Sequence, residues 1–279
     1  MNNFIVPIDF SETSKNAARF AAHLANRVPD VHLILYNVFD EIEGGTDGSP
    51  LGTTEEGEDA ARKKIMELAL QSVQTELATI TSARISCVAE ENDDFVDTLE
   101  NYVKKNEIQL IVMGITGATL LGQIFMGSNT LNVVNRRLVP VVIVPPDARS
   151  KSAENIMLLT DLQDVENTVP IESVKKVLQI FNPTLHVVNV DSEHYVDLTE
   201  EYKAERVKLE TMLAGFKPEF YFIRMFDFME AINQFVADKK IDMIITIPKK
   251  HSFLTNLFKS THTSKLAYHS HVPIVAINA

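Results

Sequence analysis

Phe4–Asp9 reads FIVPID, and 152 residues further on Ile156–Asp161 reads IMLLTD. At the same offset His32–Val38 (HLILYNV) lies over Thr184–Val190 (TLHVVNV). Later in each half Leu110–Ile115 (LIVMGI) lies over Met243–Pro248 (MIITIP), and Val139–Val144 (VPVVIV) over Val272–Ile277 (VPIVAI), now at an offset of 133. Matched apolar runs in the same order mark an internal repeat. The second copy is 19 residues shorter, and Glu41–Asp59 (EIEGGTDGSPLGTTEEGED) supplies that length as Gly, Pro, Thr and carboxylates; it reads as a mobile loop. The polar, proline-opened run Pro145–Asn155 reads as the linker. The expected domains are 1–147 and 154–279.

Within the first copy short apolar runs alternate with helical periods. IVPI is followed by a helical pattern at Ala17, Phe20, Ala21, Leu24, Ala25 and Val28. VHLILYNV precedes a helical stretch from about Ala60 to Leu77. ARISCVA, Phe95–Val103, LIVMGI, a helix from Gly127 and VPVVIV complete the copy. Strands apolar on both faces belong to parallel sheets covered by helices on each side. The fold class expected is α/β, with two repeated doubly wound domains, each a five-stranded parallel sheet.

The chain has 279 residues, 45% of them hydrophobic, enough for two packed domains. No basic leader precedes an apolar run at the amino terminus, and no apolar run reaches eighteen residues, so a cytoplasmic protein without membrane contact is expected. A net charge of −12 repels nucleic-acid phosphates and argues against nucleic-acid binding. The one cysteine, Cys87, cannot form an internal disulfide and reads as an inert, buried thiol.

In a doubly wound sheet, ligands bind beyond the carboxyl ends of the strands. The residues arriving there in the first copy are Asp9, Asn37, Val38 and Gly114. After Gly114 come Gly117, Gly122 and Gly127, then Ser128, Asn129 and Thr130 at a helix start. Glycines permit close backbone approach and a helix start offers unpaired N–H groups, an arrangement suited to phosphates. Neither GxxxxGK[ST] nor GxGxxG is present. From spacing alone the glycines could equally turn the chain; for Asp9 ligand contact is favoured over a carboxylate that satisfies backbone N–H groups in a turn.

Gly114-x2-Gly117-x9-Gly127-Ser128-x-Thr130, with VPIDFSETS at the end of the first strand, resembles the nucleotide-binding signature of the universal stress protein family, and the duplication resembles its tandem members. The resemblance implies that Asp9 contacts the adenosine part of ATP, that Val38 meets adenine through its backbone, and that Met113 and Gly114 line the ribose. Gly117, Gly127, Ser128, Asn129 and Thr130 would hold the phosphates, with magnesium as an optional companion. It also implies that two such domains join through their last strands, here Val141–Val144 and Ile274–Ile277, leaving a further homodimer open.

The second copy keeps Asp161 for Asp9 but has Ile247, Lys250 and Ser260 where the first has Gly114, Gly117 and Gly127. Side chains there obstruct a ligand's close approach, so its motif reads as degenerate. Lys249, Lys250 and Lys259 read as solvated, and His251, His262, His269 and His271 lack the spacing of a metal site. The expected function is an ATP-binding regulatory protein of the stress response with an unidentified protein partner and no catalytic residues. The alternatives are a slow ATPase, or a scaffold that acts through the acidic loop 41–59 without nucleotide.

Overall fold

The computed structural model describes residues 1–40, 55–115, 127–148, 152–191, 199–225, 227–247 and 271–277. The first half runs β1 (Asn2–Pro7), α1 (Glu12–Ala25), β2 (Val31–Phe39), α2 (Glu55–Leu77), β3 (Arg84–Glu91), α3 (Phe95–Lys105), β4 (Ile108–Gly114), α4 (Ser128–Asn135) and β5 (Val141–Val144). The second half runs β6 (Asn155–Leu159), α5 (Val165–Thr168), α6 (Ile171–Phe181), β7 (Thr184–Asp191), α7 (Glu200–Met212), β8 (Glu219–Arg224), α8 (Phe228–Lys239), β9 (Met243–Thr246) and β10 (Ile274–Ala276).

The ten strands form one sheet in the order β3-β2-β1-β4-β5-β10-β9-β6-β7-β8. Five parallel strands lie on each side of a single antiparallel contact, β5 against β10. The alternation along each strand explains the two layers. Phe4 and Val6 face the layer of α1, α2, α6 and α7, while Ile5 faces that of α3, α4 and α8. Strands buried on both faces need this double cover.

The repeat is legible in single hydrogen bonds. Asn37 Nδ2 donates to the Ile8 carbonyl (2.7 Å), and 152 residues later Asn189 Nδ2 donates to the Thr160 carbonyl (3.0 Å). The Ser11 N–H donates to Asp9 Oδ1 (3.0 Å), as the Gln163 N–H does to Asp161 Oδ1 (3.2 Å). Between those partners Phe10 and Leu162 both adopt the left-handed region, with φ of 63° and 50°. Such a conformation is unusual for bulky residues and is held here by the Asp-turn bond on either side of the repeat.

Two sequence expectations are revised. Residues 55–59 of the acidic stretch are the start of α2, which therefore begins five residues before Ala60; glutamates are good helix formers and are favoured in a first turn. Residues 41–54 lie outside the described residues. Cys87 is only half-buried, because β3 is an outer strand with a single strand neighbour. Burial still pushes its thiol pKa up, which disfavours the reactive thiolate.

The halves differ after the first strand. α1 is one helix of 14 residues, whereas its counterpart is split into α5 and α6 around Val169-Pro170. Proline has no N–H to continue a helical ladder and its ring blocks the preceding turn. Glu205 of α7, buried at 8% exposure, accepts the N–H of Val165 at the start of α5 (2.7 Å) and also pairs with Lys208 (2.8 Å).

At the join, Ile274 lies opposite Ile143, Val275 opposite Val142 and Ala276 opposite Val141. Val142 and Val275 are repeat counterparts and both are fully buried, so the contact is self-complementary about its central pair. Val275→Asp is expected to lower the unfolding free energy by roughly 3–5 kcal/mol, the range for a charge left buried and uncompensated. Val207→Asp, at a site 60% exposed, should change it by no more than about 0.5 kcal/mol. Urea unfolding of the two variants checks this, and equal effects would contradict the role given to the join.

Candidate functional site

β1 is flanked by β2 and β4, so the residues that follow these three strands arrive together at one edge of the sheet. Asp9 is exposed there. Its Oδ1 accepts from the N–H (3.0 Å) and the hydroxyl (2.5 Å) of Ser11, and Ser11 Oγ in turn caps α1 by accepting the N–H of Ser14 (3.2 Å). Burial works against the Asp9 charge, but hydrogen bonds from Ser11 and Ser14 outweigh it and hold the carboxyl below its usual range. Asp9 is therefore anionic at neutral pH and fixed to the first turn of α1.

Gly114 ends β4 against that same turn. A Cβ placed on it would lie 2.6 Å from the Thr13 carbonyl carbon and closer still to the oxygen. The absence of a side chain is thus required by helix-on-strand packing. In the second half Ile247 occupies this position at 1% exposure and packs in the same apolar cluster as Leu162, Val165 and Val169. A β-branched side chain stands where the first half has only backbone.

Gly127 is the N-cap of α4 and offers no side-chain acceptor, and the first turn contains no acidic residue. By contrast α1 and α3 are capped by Ser11 and Asp94, each accepting an N–H from three residues on. Ser128 and Asn129 are exposed, so the helix start keeps N–H groups free of a side-chain cap at the sheet edge. Thr130 is different: it is 1% exposed and its hydroxyl donates to the Gly114 carbonyl (3.5 Å), tying α4 to the end of β4. Met113, at 7% exposure, packs in the apolar layer with Tyr36 and Leu99, and Val38 is half-buried against the same layer. The Tyr36 hydroxyl donates to Glu90 Oε2 (2.8 Å), and burial raises its pKa well above the usual value, so it stays a donor.

Asp9, Val38, Met113, Gly114, Gly127, Ser128, Asn129 and Thr130 thus all sit at or just beneath this edge. Gly117 lies outside the described residues, as do Gly122, Lys249, Lys250, Lys259, Ser260, His251, His262 and His269. His271 contacts Asp147 across the join. Among the described residues no three His, Cys, Asp or Glu side chains are grouped as metal ligands.

One feature is not evident from the glycine motif. A cleft of about 690 Å³ opens beside Asn129, lined by Asp40, Asp93, Asp94, Phe95, Asn132 and Arg136 among others. The spacing Asn129-x2-Asn132-x2-Asn135, which carries three carboxamides along one side of α4, is the signal that points to it.

The sheet order, the glycine-led helix start and the Asp turn define a doubly wound α/β protein. The model of the universal stress protein family matches residues 1–145, and the chain belongs to that family. Among solved structures, a universal stress protein from Archaeoglobus fulgidus DSM 4304 is similar over the whole length. It is 17% identical with a TM-score of 0.69, and the match covers 99% of this chain and 98% of that one. A functionally unknown protein from Pseudomonas aeruginosa PAO1 is 13% identical with a TM-score of 0.59, over 100% of this chain and 92% of that one. Both likenesses are of fold. Comparison with the curated proteins finds no match.

Gly114→Ala is expected to destabilise by about 1–3 kcal/mol through overpacking against Thr13. Gly215→Ala, where a Cβ meets nothing within 4 Å, should be neutral or slightly stabilising. Thermal unfolding of the pair measures the difference.

Proposed function

We propose that the chain is a cytoplasmic ATP-binding regulatory protein of the stress response, built from two universal-stress-type units at 1–147 and 154–279, with nucleotide held by the first. The observation that carries this reading is the start of α4, a glycine cap without a side-chain acceptor or an acidic neighbour, beside Gly114 and Asp9 at the end of the parallel strands. Backbone N–H groups and the helix dipole favour a phosphate at such a place. The chain's membership in the family supports the same reading. Among the described residues no helix is long and apolar enough to cross a membrane.

In this reading ATP's phosphates lie against Gly117, Gly127, Ser128 and Asn129. Thr130, being buried, acts by holding the helix to β4, and magnesium is an optional companion of the phosphates. Asp9 and the backbone of Val38 take the adenosine side, with Met113 and Gly114 forming the floor. The second unit serves as a partner, since it has Ile247, Lys250 and Ser260 where the first has Gly114, Gly117 and Gly127. Binding in one unit can shift association of the whole only by its preference for one state over another, and the partner is a protein.

Gly127→Asp separates this reading from a purely structural role for the glycine. Aspartate is a good N-cap and Gly127 has an ordinary φ of −57°, so the variant should fold at least as well as the parent. Its carboxylate would occupy and repel the phosphate position, and affinity for ATP, followed by calorimetric titration, should fall at least about tenfold. Unchanged affinity would overturn the assignment.

A further inference from the structure

His186 lies on β7 on the side of the sheet covered by α8, 4% exposed, and neither ring nitrogen has a hydrogen-bond partner among the described residues. Buried polar groups are nearly always satisfied, so a ring with both nitrogens unmet marks a position maintained at a cost. On β6 its register neighbour is Met157, which carries no charge. On β8 it lies opposite Glu219, whose Oε2 is 3.6 Å from Nδ1, and the Tyr221 ring is 5.7 Å away. From α8 the Phe235 ring stands edge-on at 6.1 Å, and Lys239 Nζ lies 4.7 Å over the Tyr221 ring.

We propose that His186 makes β8 an acid-releasable edge strand, seated against β7 while the ring is neutral and freed from it when the ring takes a proton. Among the described residues an imidazolium in this position has one carboxylate within reach, and Glu219 is already the acceptor for the Tyr221 hydroxyl (2.5 Å). That hydrogen bond, with the nearby charge of Lys239, keeps Glu219 ionised, while Lys239 adds a positive charge on the side of α8. β8 has a strand neighbour on one side only, so detaching it from β7 breaks a single ladder while exposing the charged ring to water.

The direction follows from linkage. Burial, opposed by Glu219 and aided by Lys239, lowers the His186 pKa from 6.5. The released state therefore binds more protons than the seated one as pH falls below about 6.5, and the seated state weakens by up to about tenfold per pH unit until the buried ring itself titrates. Above that value both states are neutral and the seated strand keeps its full stability. The first half carries the apolar version of the same position, since the repeat counterpart of His186 is Ile34, buried at 3% exposure.

Hydrogen exchange of the full chain between pH 7.5 and 5.5, corrected for intrinsic rates, tests this strand by strand. In the wild type, protection of β8 should fall up to about tenfold per unit below pH 6.5. His186→Ile, which copies the first half, should abolish the acid response, and Glu219→Gln should enlarge it by removing the one compensating charge. Exchange of β3 reports separately on His32, which is hydrogen-bonded to Ser86 Oγ (2.9 Å) and is also buried enough to have a lowered pKa. A titration of the His186 ring by NMR gives a second readout that needs no variant. An acid-independent β8, an acid response surviving in His186→Ile, or a ring that titrates at or above the ordinary value would each overturn the proposal.

Discussion

The contact on which the molecule depends is the antiparallel pairing of two fully buried valines, Val142 and Val275, at the centre of a three-residue ladder. Each half is a parallel sheet whose last strand is short and entirely apolar, and such a strand left at an edge is an invitation to pair with another chain. The repeat meets that hazard by turning each exposed edge against its own counterpart. Because the central pair consists of equivalent positions, the second half is related to the first by an approximate two-fold. The strand ends that carry Asp9 and Asp161 are consequently set apart on opposite sides of the join.

The same local grammar is then used twice with different endings. The Asn37 and Asn189 carboxamides clamp the carbonyls at the ends of β1 and β6, and Asp9 and Asp161 form the same turn through a left-handed residue. These are features of architecture, since they persist where the glycines do not. What separates the halves is space: Gly114 lets the first turn of α1 sit directly on β4, whereas Ile247 fills that position and Pro170 splits the helix above it. The assignment of nucleotide to the first half rests instead on the glycine-capped start of α4.

Much of this is legible in the chain because the repeat offsets align strand with strand. FIVPID over IMLLTD, and VPVVIV over VPIVAI, give the strand sequence, while the meeting of the two last strands at the join is implied by the family resemblance. The site is legible in part, because a helix start after Gly127 follows from Ser128-Asn129-Thr130. That Thr130 faces inward to Gly114, or that Gly114 is demanded by Thr13, depends on contacts between elements that spacing cannot express. The acidic stretch misled for a related reason: composition marked 41–59 as loop, yet residues 55–59 have enough helix propensity to extend α2. His186 is invisible for the opposite reason, since TLHVVNV reads as an ordinary strand and only the packing of β8 and α8 shows the ring to be enclosed.

The nucleotide proposal requires that one half of a structurally duplicated chain holds nucleotide and the other does not. The most direct measurement is the stoichiometry and position of labelling when the nucleotide-stripped full chain is saturated with a photoreactive ATP analogue and the modified peptides are identified by mass spectrometry. One label per chain is expected, carried by peptides around Val38, Asn129 or the cleft beside it. Two labels per chain, or labelling confined to peptides around Asp161, Asn189 and Ile247, would contradict it.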